Sequence, residues 1–336
     1  MSSFDSVSGS GSDSESDSDS DSQPRCIDSS LCEIKKRTEL LAKKKVVLEL
    51  YSCFLSGWTY YPGDEERKLD KMIVVKLLEH LDTKDVDDRT YVQSLLLRIY
   101  IKFKYLREFI LKQFNDVFNR FTFESIECHC ITELLDIYYD IIKDYSAPLK
   151  TNEEQVLLKV LLPLHKPQSM PSYFSTLIYC IIEFLQSNPS LIQRYVTGFL
   201  RLWPKTAYDK ETLFLTEIAS ILVIQNEEEV TKVLEPAFKQ IAKCLSSQSA
   251  KIAEQTLNLW EDEDLLELMR ENNEVIMPII FPSLYFMKKM HLSQRIQELV
   301  STVMKELLMM NRELFLSLTI EQIRAEQKKT EPSNPP

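Results

Sequence analysis

A chain of 336 residues, 44% of them apolar, can bury a sizeable core in one elongated unit or two globular ones. Its five glycines (Gly9, Gly11, Gly57, Gly63 and Gly198) form no cluster after a strand, which argues against phosphate-cradling loops and dinucleotide folds. A net charge of -11 argues against general nucleic-acid binding, and no apolar run approaches the ~18 residues of a membrane span.

The chain opens on alternating serine and acid, Ser12-Asp13-Ser14-Glu15 through Ser20-Asp21. Such a segment has almost nothing to bury and is expected to stay unstructured as a tail over 1–33. Its serines precede acids, the pattern acidophilic kinases favour, although a merely solubilising tail has the same composition. The seven cysteines are scattered and odd in number; with no signal peptide ahead of them, they read as reduced intracellular thiols.

From Ile34 onward the periodicity predicts helix after helix and no strand. The predicted elements are 34–56, 66–81, 85–105, 106–121, 124–145, 152–163, 171–186, 189–202, 209–224, 228–246, 249–259, 262–272, 274–288, 292–311 and 313–327. Taken in pairs they recur every ~40 residues, the period of HEAT-type repeats. A lone pair cannot cover both of its apolar faces, so the expected fold is all-α, a HEAT-like solenoid over 34–327 with a right-handed superhelix. Residues 328–336 are expected to be a short tail. Clustered aromatics (Tyr60–Tyr61, Phe118–Phe121–Phe123, Tyr138–Tyr139) are expected to be wedges between repeats.

Two stretches stand out, Leu95 to Gln113 and Glu133 to Tyr145, each read as an amphipathic helix. In the first, Ile99, Phe103, Leu106 and Ile110 form the apolar stripe, with Arg98, Lys102 and Arg107 off it beside Tyr100. In the second, Leu134, Ile137, Tyr138 and Ile141 form the stripe, and Asp136 and Asp140 turn away. Side by side the pair makes either two ordinary core helices or a groove with an apolar floor and a cationic wall. Such a groove suits a short peptide carrying apolar anchors and an anion.

Reactive chemistry is sparse. Cys128-His129-Cys130 falls inside the predicted 124–145 helix, where consecutive side chains diverge by ~100°, so no convergence on one metal ion is expected. His165 is expected at a helix end, capping it or partly buried and neutral, with no nucleophile to serve. The run Glu261-Asp262-Glu263-Asp264 is expected to open a helix after Trp260, where negative charge favours the dipole.

Six blocks then occur in a telling order: LPLHK at 162–166, WPKT at 203–206, EPAFKQIAKCLSS at 235–247, AEQTLNLWEDE at 253–263, IMPIIFPSLY at 276–285 and MNRELF at 310–315. Together they strongly resemble the B-prime regulatory subunits of protein phosphatase type 2A, the B-fifty-six family, from about Ala42 to Gln327. The resemblance implies a HEAT-like solenoid without catalytic activity or cofactor. It implies binding to the phosphatase scaffold (A) and catalytic (C) subunits, and recruitment of substrates or adaptors through Leu-x-x-Ile-x-Glu segments. It also implies a cytoplasmic protein, with the nucleus as a second compartment.

The resemblance places the docking site on the two stretches above. Arg98 matches the arginine that meets the motif glutamate, and Tyr100, Ile137 and Ile141 match the apolar contacts, with Asp136 beside them. Arg107 and Lys150 match basic residues that favour acidic or phosphorylated flanks. Leu97 stands where the family usually has histidine, removing one polar partner of the glutamate, and Leu111 stands where an arginine is typical. About two repeats expected before residue 42 are replaced by the acidic tail, with the lysine-rich first helix expected to cap the stack. Two functions follow: a substrate-targeting phosphatase subunit, or a divergent peptide-binding adaptor that no longer assembles with the phosphatase. Because nothing in the tail can pack, deleting residues 1–22 is expected to leave the melting temperature unchanged. A drop of several degrees in a calorimetric scan would make the tail structural.

Overall fold

The structure, a computed structural model, describes residues 69–144, 153–290 and 293–330, all within one compact unit, Tyr60–Pro336. The tail, the 34–56 helix and Lys150 lie outside the described residues. Every regular element among the described residues is helical: α1 (Lys71–Leu81), α2 (Val86–Lys102), α3 (Arg107–Phe123) and α4 (Ile131–Asp144) come first. Next, α5 starts as Glu153–Val156 and continues through a π turn (Leu157–Leu161) into a 3-10 turn (Leu162–His165). There follow α6 (Phe174–Ser187), α7 (Ile192–Arg201), α8 (Tyr208–Leu222), α9 (Glu227–Leu245), α10 (Ala250–Leu257) and α11 (Glu263–Glu271). The last three are α12 (Asn273–Met290), α13 (Gln294–Met310) and α14 (Arg312–Thr330), so α14 runs three residues into the span read as a tail.

Beyond its neighbours in the chain, each helix packs on another two or three elements away. One row runs α2, α4, α6, α8, α10 and α13; the other runs α3, α5, α7, α9, α12 and α14. Members of the first row start at Val86, Ile131, Phe174, Tyr208, Ala250 and Gln294, steps of 45, 43, 34, 42 and 44 residues. The ~40-residue period read from the sequence is therefore the spacing of stacked helix pairs. The stack is held by apolar stripes such as Phe174, Leu177, Ile178, Ile181, Phe184 and Leu185 of α6, each buried. A fully buried side chain of this size stabilises by roughly 1.5–3 kcal/mol.

Helix starts follow the local chemistry. Asp70, Asp85, Asn226 and Asp262 accept hydrogen bonds from backbone N–H groups of the first turns of α1, α2, α9 and α11. The acidic run after Trp260 does open a helix, with Glu263 and Asp264 in the first turn of α11. The aromatic wedges hold in part, since Phe118 and Tyr138 are fully buried but Phe123 is exposed.

Two boundaries differ from expectation. Leu95–Gln113, read as one amphipathic stretch, divides near the predicted 105/106 boundary but earlier: α2 ends at Phe103 (φ −107°, ψ 80°), a 3-10 turn covers Lys104–Leu106, and α3 starts at Arg107. Ile99, Phe103, Leu106 and Ile110 are all buried nevertheless. Burying the Phe103 ring outweighs one further turn of helix, because the same stripe then serves two packed elements. The predicted 124–145 helix loses its first turns, and 124–130 is irregular. Glu124 caps α3 and Ser125 takes a left-handed conformation (φ 54°), which re-aims the chain before α4 begins at Ile131.

One carboxylate, Glu217 of α8, is fully buried. Its Oε2 lies 2.8 Å from His165 Nε2, and its Oε1 accepts from the Tyr195 hydroxyl at 2.6 Å. His165 Nδ1 meets the Leu162 carbonyl at 2.9 Å, and the ring sits edge-on to Phe199 and Phe214. Full burial corrects the expectation of a partly buried ring: the Leu162 carbonyl can only accept, so Nδ1 donates to it, and Nε2 faces the Glu217 carboxyl. Burial and the Glu217 carboxylate push the Tyr195 hydroxyl well above its ordinary pKa. Lys210 Nζ donates to the carbonyls of His165 (2.7 Å), Lys166 (3.1 Å) and Pro167 (3.1 Å), closing the end of the same turn. Removing one partner strands the others, so Glu217→Ala should cost roughly 3–5 kcal/mol. Glu217→Gln, which keeps an acceptor for Tyr195, should cost clearly less; equal urea midpoints for the two variants would contradict this account.

Candidate functional site

α2 and α4 are neighbours in the first row, and six of the eight expected positions lie on these two helices. Arg98 is exposed and Leu97 half-buried on α2. Tyr100 of α2 and Ile137 and Ile141 of α4 are fully buried, so a peptide side chain reaches them only when the seam opens. Asp136 of α4 is half-buried, accepting from Gln93 at 3.5 Å, and burial raises its pKa against the opposing hydrogen bonds of Thr176 and Gln93. Lys150 is outside the described residues. Leu111 is buried in α3.

A polar ladder along this seam was missed from the sequence. Arg89 Nε donates to Glu133 Oε1 at 2.5 Å and Arg89 also to the Thr83 carbonyl at 2.8 Å, one turn before Gln93 and Asp136. Its signal was present: Arg89 and Gln93 are four apart on α2, Glu133 and Asp136 three apart on α4, so complementary pairs share facing sides. Ile101 and Tyr105 are exposed, and the Tyr105 hydroxyl accepts the Leu69 N–H at 2.5 Å.

Arg107 lies at the start of α3 and turns back onto α2. Its guanidinium donates to the carbonyls of Tyr100 (3.0 Å) and Ile101 (3.2 Å) and sits 5.0 Å from the Tyr100 ring centroid. It thus satisfies carbonyls left open at the end of α2, a position where cations complement the helix dipole. The Tyr100 hydroxyl is raised by burial, with the Arg107 charge opposing.

The Cys128-His129-Cys130 segment also departs from expectation. It is not helical, and Cys128 Sγ and Cys130 Sγ approach to 3.3 Å beside Asp82. The divergence expected of a helix therefore does not apply. Cys128 is held below its ordinary thiol pKa, chiefly by the hydrogen bond with Cys130, while that bond and burial raise Cys130.

Rows of stacked helix pairs define the all-helical repeat class of architecture. The profile described as "Protein phosphatase 2A regulatory B subunit (B56 family)" matches residues 45–334. The chain belongs to the B56 family. It is 40% identical over 275 residues to the serine/threonine-protein phosphatase 2A 56 kDa regulatory subunit alpha isoform of Mus musculus, covering 82% of this chain and 57% of that one. It is 38% identical to the regulatory subunit pptr-1 of Caenorhabditis elegans, covering 82% and 51%, and 37% identical to the delta isoform of Oryctolagus cuniculus, covering 85% and 48%. The chain spans about half the length of these relatives. Among solved structures, a designed armadillo repeat protein in complex with the peptide (KR)4 aligns with a TM-score of 0.39 at 15% identity, over 70% of this chain and 99% of that one.

Because Arg107 closes the end of α2, Arg107→Ala should lower stability by about 1–2 kcal/mol through lost charge-assisted and cation–π contacts. Arg107→Lys should recover only part, since an ammonium lacks the planar fork. Unchanged urea midpoints for both variants would sink this role.

Proposed function

We propose that the chain is a non-catalytic regulatory subunit that selects substrates for a type 2A protein phosphatase, together with its scaffold and catalytic subunits. The membership of residues 45–334 in the B56 family carries this reading. The relatives named above are regulatory subunits of that phosphatase, and this chain retains the helical stack that such a role requires of a platform.

The finer part of the proposal concerns the α2–α4 seam. A Leu-x-x-Ile-x-Glu segment docks there, its glutamate on exposed Arg98 and its apolar anchors entering over Leu97 and Ile101 toward Tyr100, Ile137 and Ile141. Docking therefore includes partial opening of the seam, and the anchors replace protein contacts rather than water. Affinity rests to a larger degree on the glutamate, whose charge-assisted hydrogen bond is worth on the order of 1.5–3 kcal/mol. Leu97 supplies no donor to that carboxylate.

Co-expression with tagged scaffold and catalytic subunits tests assembly: a stoichiometric ternary complex is expected, and repeated recovery of the chain alone would favour the free adaptor. For the seam, calorimetry with a Leu-x-x-Ile-x-Glu peptide should show Arg98→Ala weakening binding roughly 10–100-fold. Leu97→His should tighten it. No loss for Arg98→Ala, with an Ala-for-Glu peptide binding equally well, would place docking elsewhere.

A further inference from the structure

The segment between α3 and α4 brings its two cysteines, Cys128 and Cys130, against Asp82, more than forty residues earlier in the chain. Asp82 caps the C-terminal end of α1, and its Oδ1 accepts the backbone N–H of His129 at 2.7 Å. That bond holds the 124–130 segment against α1, with Cys128 half-buried and Cys130 buried. The two thiol sulfurs, 3.3 Å apart, and a carboxylate oxygen of Asp82 offer ligand atoms all within 4.8 Å of one another. They lie on the wall of a cleft of about 790 Å³, which gives an ion a path from solvent and which Glu79, Glu124 and Glu127 make acidic. None of these groups belongs to the α2–α4 seam.

We propose that Asp82, Cys128 and Cys130 form a binding site for one zinc(II) ion. Two thiolates and one carboxylate match a borderline-soft ion that accepts sulfur and oxygen together, whereas softer copper(I) favours sulfur alone. Loading releases the two thiol protons, and the three protein ligands leave a fourth tetrahedral position facing the cleft. At Zn–S distances of about 2.3 Å, tetrahedral geometry sets the sulfurs about 3.8 Å apart. The required opening from 3.3 Å is small, and half-buried Cys128 on an irregular segment can make it. Cys130 immediately precedes α4, and its carbonyl accepts from the Leu134 N–H at 3.0 Å, so one ligand is fixed while the other adjusts. A bound ion would tie the end of α1 to the start of α4.

The test uses the full chain, reduced and metal-free, titrated with zinc against a chromophoric chelator and with cobalt(II) as spectroscopic probe. One equivalent of zinc per chain is expected, together with a thiolate-to-cobalt charge-transfer band. Cys128→Ser and Cys130→Ser should each weaken zinc binding by more than about 100-fold, the upper end of what losing even an outer-shell partner costs. Asp82→Asn should weaken it by roughly tenfold. The triple variant Cys26→Ser, Cys32→Ser, Cys53→Ser should bind as the parent does. Cys128 is partly exposed, so Cys128→Ser tests the site even where Cys130→Ser disturbs folding, with circular dichroism as the check. The absence of stoichiometric zinc in the parent chain overturns the proposal, as does a charge-transfer band that survives in the double cysteine variant.

Discussion

A helix with apolar residues on two sides cannot be satisfied by a single neighbour. That constraint governs this protein, and row packing is its solution: each helix finds another two or three elements away, and its chain neighbours close the remaining side. The cost is that no pair is complete alone, so local geometry is set by neighbours on both sides. Where the neighbours demand it, regular structure gives way. Phe103 ends α2 to bury its ring, and α5 passes from α to π to 3-10 geometry within thirteen residues around Pro163, which lacks the N–H a regular helix would use.

Glu217 fixes one such place. A buried carboxylate is weak support for stability against an apolar replacement, but it is demanding about position. Oxygen atoms at 2.8 Å from His165 and 2.6 Å from Tyr195 require α5, α7 and α8 to meet in one arrangement. Lys210, from the same helix as Glu217, holds three carbonyls of the 165–167 segment, so its charge serves backbone groups rather than an acid. Desolvation lowers the Lys210 pKa, and the three carbonyls occupy the three donors of the ammonium.

Helix type and spacing were legible in the sequence because stripes such as that of α6 repeat at three and four residues over long spans. The start of α11 was legible because capping is local, involving residues within one turn. His165 was noticed but its environment was not, since Tyr195 and Glu217 lie 30 and 52 positions further along and no local pattern links them. The break after α2 was legible as the boundary at 105/106, but its exact place was not, because the apolar stripe runs through Phe103 unbroken and periodicity alone cannot register a change of direction. The missed non-helical run 124–130 had the same origin: with no proline or glycine between Phe123 and Ile131, propensity gave no stop, and Ser125 turns by adopting a conformation unusual for it. Periodicity set Arg98, Tyr100 and Arg107 off one stripe and Ile137 and Ile141 on another, and family resemblance supplied their docking roles. Composition placed none of them, and burial of Tyr100, Ile137 and Ile141 is a property of the packed stack.

The position of Arg107 makes one helix end and one surface charge the same object. Its guanidinium already has acceptors in the carbonyls of Tyr100 and Ile101, so any external anion that engages it does so in exchange. Binding and fraying of the last turn of α2 are then linked equilibria, and linkage is reciprocal. An anion that draws Arg107 away loosens the turn that carries Arg98 and Tyr100; conversely, whatever stiffens that turn disfavours the anion. A phosphorylated flank would in this way alter the floor of the seam as well as its rim, acting through the order of a single helical turn.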